Sequence, residues 1–177
     1  MVERIIERRK EPEPGELIYE QTYRWMYERC HQKQSGVVII KGRELQWEQS
    51  RQALLKFYLY PAVWDKVGVP GWFVFINHIK KQSGKHVHQG GLGLFVLEGK
   101  GYTVVNGVKY DWEKDDLILL PVMPGGCEHQ HFNTDEGKPC FWLAFIFTPY
   151  FDAVGNALEQ KEVSPDWKGA PGMPHVA

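Results

Sequence analysis

The sequence predicts an all-β domain, either an antiparallel barrel or a double-sheet sandwich, and three observations carry that expectation. Short segments alternating polar and apolar residues recur between Leu54 and Phe147, roughly seven or more of them, with turn residues about every 6 to 12 positions. Strand and helix patterns do not alternate, so a parallel βαβ sheet is excluded. Two His-x-His pairs, His86/His88 and His129/His131, fall on two of the expected strands. Alternate residues of a strand share a face, so each pair turns both imidazoles to one side.

Composition narrows the class of partner. The chain has 177 residues, 43% of them hydrophobic and 14% aromatic, the profile of one globular domain able to bury a core. A net charge of −1 supplies no basic field for nucleic acid or anionic lipid. No apolar run approaches the roughly 20 residues of a spanning helix, and the opening MVERIIERRKEPEPGE lacks the apolar centre of a secretion signal. A cytoplasmic protein is expected. Cys30, Cys127 and Cys140 are scattered without a CxxC spacing, which fits neither a disulfide framework nor a zinc ribbon.

Taken in order, residues 1–15 carry alternating charges and two prolines and are expected to form an extended arm. From Glu16 to about Gln34, Leu17, Tyr23, Met26, Tyr27 and Cys30 recur at helical intervals before Gly36, so an N-terminal helix is expected to pack on the domain or on a second subunit. The β-branched run VVIIKG (Val37 to Gly42) reads as a strand. Leu54 to Tyr60 is a strand with Leu55, Phe57 and Leu59 on one face and Lys56, Tyr58 and Tyr60 on the other. Trp72 to Lys81 sets Phe73, Phe75, Asn77 and Ile79 against Trp72, Val74, Ile76 and His78. LGLFVLEG, KGYTVVNG, VKYDWE, LILLPV, HQHFN and CFWLAFIF follow as strands, with Asn106-Gly107 the favoured residues of a hairpin turn. Thr148 to Gln160 is partly helical, and the tail after it is extended. The chain thus divides into an arm and helix (1–45), a barrel (46–150) and a C-terminal extension (151–177).

One His-x-His pair in a strand is an ordinary occurrence. Two pairs, each on an expected strand beside glycine-rich turns and together holding four of the seven histidines, point to one cavity surrounded by imidazoles if the two stretches face each other across a barrel. Imidazole is the commonest neutral ligand for iron, zinc, copper or nickel. The aromatics Tyr58, Trp72, Phe73, Phe75 and Trp142 offer walls for a flat ring. Gln89 and Gln130 adjoin the histidines, and strand alternation turns Gln130 away from them.

His86-x-His88 followed by Glu98-Gly99, and later Pro124-x-Gly126-x-x-His129-x-x-x-Asn133, resemble the two motifs of the cupins over roughly Lys56 to Phe147. That resemblance implies a double-stranded β-helix, the cupin jelly-roll barrel, here with an N-terminal helical extension and a short C-terminal helix. It implies a mononuclear metal held by His86, His88 and His129. The glutamate ligand common in cupins would stand at Leu92, so a three-histidine site is implied instead. The loop VMPGGCE is longer than the cupin pattern, and it leaves both His129 and His131 open as the third ligand.

Within the cupins, HVHQGGLGLFVLEGKGYTVVNG and HQHFN look most like the gentisate 1,2-dioxygenase type of aromatic ring-cleaving enzyme, whose chains are usually two-barrel and much longer. The implied activity is a non-haem Fe(II) dioxygenase that uses O2 to cleave a C–C bond in a hydroxylated aromatic acid or related enolisable substrate. His131 would be the catalytic acid or base touching substrate, with Gln89, Phe75 and Tyr58 as further substrate contacts. Fe(II) is the expected ion, with Mn, Ni and Zn as alternatives. A redox-neutral isomerase, lyase or decarboxylase, or a non-catalytic small-molecule-binding barrel, are the competing expectations, because one fold hosts many activities. A homodimer or higher homo-oligomer is expected from the aromatic N-terminal helix.

Overall fold

The computed structural model describes residues 15, 17–155 and 157–169. All but Gly15 of the expected N-terminal arm, and the end of the C-terminal extension, lie outside the described residues. Two antiparallel sheets form the body. The first sheet orders β1 (Glu48–Gln49), β2 (Leu54–Leu59), β3 (Trp72–Ile79), β10 (Cys140–Phe147), β5 (Leu92–Glu98) and β8 (Leu117–Leu120) as β1-β2-β3-β10-β5-β8. The second orders β11 (Glu159–Glu162), β4 (Lys85–His88), β9 (Cys127–Asn133), β6 (Lys100–Val105) and β7 (Val108–Glu113) as β11-β4-β9-β6-β7. From β3 to β11 the chain crosses between the sheets at nearly every step. This is the jelly-roll winding, and it places β4 and β9 side by side although about forty residues separate them in sequence.

Period-two patterning decides which residues meet between the sheets. On β5, Leu92, Leu94 and Val96 turn inward while Phe95 and Leu97 turn outward; on β10 the inward set is Cys140, Trp142, Ala144 and Ile146. Leu94 faces Ala144 and Val96 faces Trp142 across the ladder, pairing large with small so that the core closes. The β6–β7 hairpin closes through Asn106 and Gly107, at φ 46° and 83°, the left-handed pair that a two-residue turn with the sheet's twist demands. Asn106 does more than turn the chain. Its Oδ1 accepts from Glu128 N at 2.7 Å and its Nδ2 donates to Gly126 O at 3.3 Å, fixing the start of β9.

Gly101 lies where β6 pairs beside β9, and a Cβ there would overlap the Phe132 carbonyl and the Trp112 indole. Gly101→Ala is therefore expected to destabilise the fold by about 2–3 kcal/mol, read as a lowered urea midpoint at unchanged slope.

Three features differ from the sequence expectation. Val37 to Gly42 forms no strand: Val37 makes a single parallel bridge to Val67, while Val38 and Ile39 are 88% and 75% exposed. β-branched residues favour strands only where a neighbour offers a ladder, and here the Val67 segment offers that single bridge. Secondly, Glu159–Glu162, within the expected C-terminal extension, adds β11 to the edge of β4, pairing Gln160 with His86. Lys85 bridges Glu128 at 3.2 Å and Glu162 at 3.6 Å across these strands. Thirdly, helix α1 (Ile18–Ser35) forms as expected but buries none of its residues. Its anchor is Gln32, whose Nε2 donates to Trp64 O and Val67 O at 2.9 and 3.0 Å. Helix α2 (Thr148–Ala153) follows β10 directly and brings Phe151 over the open end of the barrel, where its ring lies 5.8 Å from that of His88. Among the described residues no helix is long and apolar enough to cross a membrane.

Candidate metal centre and cavity

The β4–β9 ladder sets His86 opposite His129, and alternation along each strand adds His88 and His131 to the same inward face. Ring centroids lie 4.1 Å apart for His86 and His129, 4.7 Å for His88 and His129, and 5.3 Å for His86 and His88. One ligand nitrogen from each of these three residues lies within 4.8 Å of the others, close enough for one ion at about 2.1 Å from each nitrogen after small ring rotations. Among the described residues no carboxylate or thiol joins the group. Leu92, at the position of the missing glutamate, is part of the apolar core.

The surroundings of the rings fit a cation ligated by neutral imidazole. His129 Nδ1 lies 2.9 Å from Cys127 O, so its N–H is used there and its Nε2 lone pair is left free. The Nδ1 of His86 is buried without a hydrogen-bond partner, a position that folded proteins avoid unless something else occupies the site. At His88 the Gly90 N–H donates to Nδ1 at 2.9 Å, which puts the ring's own proton on Nε2; ligation by that nitrogen requires this contact to rearrange. Burial, with mutual repulsion between rings, pushes His86 down to about 2 and His88 to about 3. Burial lowers His129 to about 4 against the opposing effect of the hydrogen bond it donates to Cys127 O. All three are therefore uncharged at neutral pH, the state that ligates metals.

Beyond the cluster opens a cavity of about 870 Å³ walled by Leu55, Phe57, Phe73, Phe75, Leu94, Trp142 and Ile146, with the four histidines along one side. Its size and mainly apolar lining suit a small ring-containing molecule. His131 is buried in that wall at 1% exposure, with its Nδ1 2.7 Å from Thr103 Oγ1. Burial holds it well below the usual histidine range, the other three imidazoles adding to the effect.

Of the residues the sequence nominates, His86, His88, His129, His131, Phe73, Phe75 and Trp142 meet on this cavity. Tyr58 and Gln89 are absent from its wall. Tyr58 sits on the opposite face of β2, its hydroxyl against Gly42, and Phe57 takes the inward place. Gln89 stands at the turn after β4, its carbonyl accepting from Met123 N at 3.1 Å. Trp72 also faces outward, against Phe147. Gln130 points away, donating to Ser83 O at 3.0 Å, and Asn133 of the later motif ties strand ends to the carbonyls of Lys80 and Lys138. The sequence reading gives no role to Thr103, Trp112 or Ser83. Ser83 Oγ accepts from His131 N at 3.0 Å and holds β9 in register.

Residues 74–146 match the sequence model of the cupin domain family. Similar solved structures include a cupin-like protein from Thermotoga maritima (16% identity, TM-score 0.50, covering 72% of this chain and 90% of that one). The polyketide cyclase RemF from Streptomyces resistomycificus is similar at 16% identity and TM-score 0.50, covering 62% of this chain and 78% of its own. A salicylate 1,2-dioxygenase from Pseudoaminobacter salicylatoxidans, in complex with gentisate, is 20% identical at TM-score 0.49; 84% of this chain aligns with only 39% of that one. A comparison with curated protein sequences finds no match. The cupin-domain match covers less than half of the chain, and at these identities the structural likeness speaks for the jelly-roll fold alone.

Proposed function

We propose that this chain is a mononuclear non-haem Fe(II) dioxygenase that uses O2 to cleave a C–C bond in a hydroxylated aromatic acid or related enolisable substrate. The observation that carries the reading is the donor set: three neutral, desolvated imidazoles with no carboxylate among them, opening on an aromatic-walled cavity. His86, His88 and His129 are the ligands in this account. When bound, ferrous iron supplies redox chemistry toward dioxygen and a charge that favours loss of a phenol or enol proton. The chain's own residues do the rest. Phe57, Phe73 and Phe75, whose rings contact one another at 5.1 to 5.7 Å, form an apolar wall that positions a ring and excludes water. His131, held by Thr103, is the polar group placed to exchange a proton or hydrogen bond with that substrate.

Iron-loaded protein prepared without oxygen is expected to consume O2 when given a hydroxybenzoate, a catechol or a β-diketone. Absence of uptake across all three classes contradicts the proposal, and turnover of a substrate without O2 replaces it with a redox-neutral reaction.

The same proposal includes a homo-oligomer. Helices in proteins take most of their stability from packing, yet α1 buries none of its 18 residues and exposes Tyr19, Trp25, Met26 and Tyr27 at 54% or more. A second copy covering these side chains would stabilise it. Light scattering on the eluting protein is expected to exceed the 20.5 kDa of one chain, and a monomer mass removes this part of the account.

A further inference from the structure

Thr103 is fully buried, and its hydroxyl meets two nitrogens. Trp112 Nε1 donates to Thr103 Oγ1 at 2.9 Å, and His131 Nδ1 lies 2.7 Å from the same oxygen. An indole nitrogen only donates, and a hydroxyl carries one hydrogen. Were His131 protonated at Nδ1, the hydroxyl would receive two donors and its own hydrogen would be left in a dry site without an acceptor, which folded proteins avoid. One arrangement satisfies all three groups: Trp112 N–H to Thr103 oxygen, then Thr103 O–H to His131 Nδ1. The proton of the His131 ring then sits on Nε2.

That Nε2 is buried without a protein partner, and so is the indole Nε1 of Trp142, whose ring centroid lies 4.7 Å from that of His131. Both residues line the cavity. Two unpaired, desolvated N–H donors on neighbouring rings are costly unless a ligand oxygen accepts from them. We propose that His131 and Trp142 together form a two-donor pocket for an oxyanion of the substrate, a carboxylate or enolate oxygen, and that Thr103 and Trp112 are positioning residues that fix His131 as a donor. With its proton on Nε2, His131 presents a donor with no protein acceptor, whereas His129, its Nδ1 used on Cys127 O, has its Nε2 lone pair free. The proposal rests on the reading of this cavity as the substrate site.

The test uses metal-free protein, so that it does not depend on iron or on turnover. Nitrogen NMR of isotope-labelled histidine at neutral pH, with the His131 signal identified by its loss in His131→Phe, is expected to show Nε2 protonated and Nδ1 bare. Thr103→Val is expected to abolish that pattern and Thr103→Ser to restore it. A wild-type ring protonated at Nδ1 overturns the relay, as does a pattern indifferent to Thr103→Val. Benzoate, an aromatic carboxylate, is the binding probe, with benzyl alcohol as the uncharged control. Trp142→Phe is expected to weaken benzoate about tenfold or more and leave benzyl alcohol nearly unchanged. Equal losses for both probes, benzoate binding unaffected by the substitution, or no benzoate binding to wild type overturns the pocket. Should Thr103→Val fail to fold, Trp112→Phe, which removes the first donor, serves in its place and is expected to let the His131 proton redistribute. Failure of O2 uptake, by contrast, removes the dioxygenase reading and leaves these measurements to decide the donor pocket separately.

Discussion

His129→Ala is expected to abolish metal uptake and activity together, whereas His131→Phe keeps the metal and loses activity by about 10²–10⁴-fold. The contrast follows from position. His129 sits between the other two rings, 4.1 and 4.7 Å from them, and its Nε2 is the free one because Nδ1 is used on Cys127 O. Removing it leaves two imidazoles, too few to hold a divalent ion against water. His131 lies one step further along β9, its ring centroid 5.4 Å from that of His129, and lines the cavity. Phenylalanine fills its volume but offers no N–H, so binding of the ion is spared and the interaction with a reacting oxygen is lost. His131→Gln, which keeps a donor, is expected to fall less. Metal content per chain measured beside the rate of substrate-dependent O2 uptake separates the two variants. Loss of metal in His131→Phe, or full retention in His129→Ala, contradicts the assignment.

Metal-free protein is expected to lose its fold between pH 6.5 and about 4, well above the range in which carboxylates alone would unfold it. The sign follows from burial. In the unfolded chain each of these histidines titrates near 6.5, while in the folded state His129 is lowered to about 4, His88 to about 3 and His86 to about 2. Above pH 6.5 both states are neutral there and the rings cost nothing. Below it the unfolded chain takes up protons that the folded one refuses, so stability falls as pH falls. Each ring contributes about 1.4 kcal/mol per pH unit, so the three together contribute about 4 kcal/mol per unit at most. His131, lowered in the same direction, adds to the slope. A stability in the lower half of the usual range of about 5–15 kcal/mol is exhausted within about two such units. Urea midpoints taken from pH 7.5 to 4.5 read this directly, and His131→Phe is expected to flatten the slope by about one proton. A midpoint unchanged from pH 7 to 5 contradicts the burial of neutral imidazoles. Bound metal is expected to shift the loss to lower pH, because protons must then displace the ion.

Much of this was legible from the sequence, for physical reasons that also explain the rest. Strands such as LGLFVLE announce themselves because one face is buried and the other wet, and Asn106-Gly107 because few other residues accept two left-handed conformations in succession. The two His-x-His pairs were readable because period two fixes a shared face. The β4–β9 pairing that joins them comes from winding about forty residues of chain, a long-range event reached through the resemblance rather than through local pattern. Val37 to Gly42 misled because β-branching marks a preference that only a neighbouring strand can satisfy. At β2 the alternation was right but Tyr58 was given a place in the cavity; the apolar face of Leu55 and Phe57 took it. Thr103 and Trp112 carried no signal, since a threonine and a tryptophan are ordinary strand residues until β6 is laid between β7 and β9.

Elemental analysis of protein purified without chelator or oxygen, run beside His86→Ala, tests the central claim most directly. The account predicts close to one iron per chain in the wild type and none in the variant. No metal in either protein, or the same content in both, would contradict a metal centre built on His86, His88 and His129.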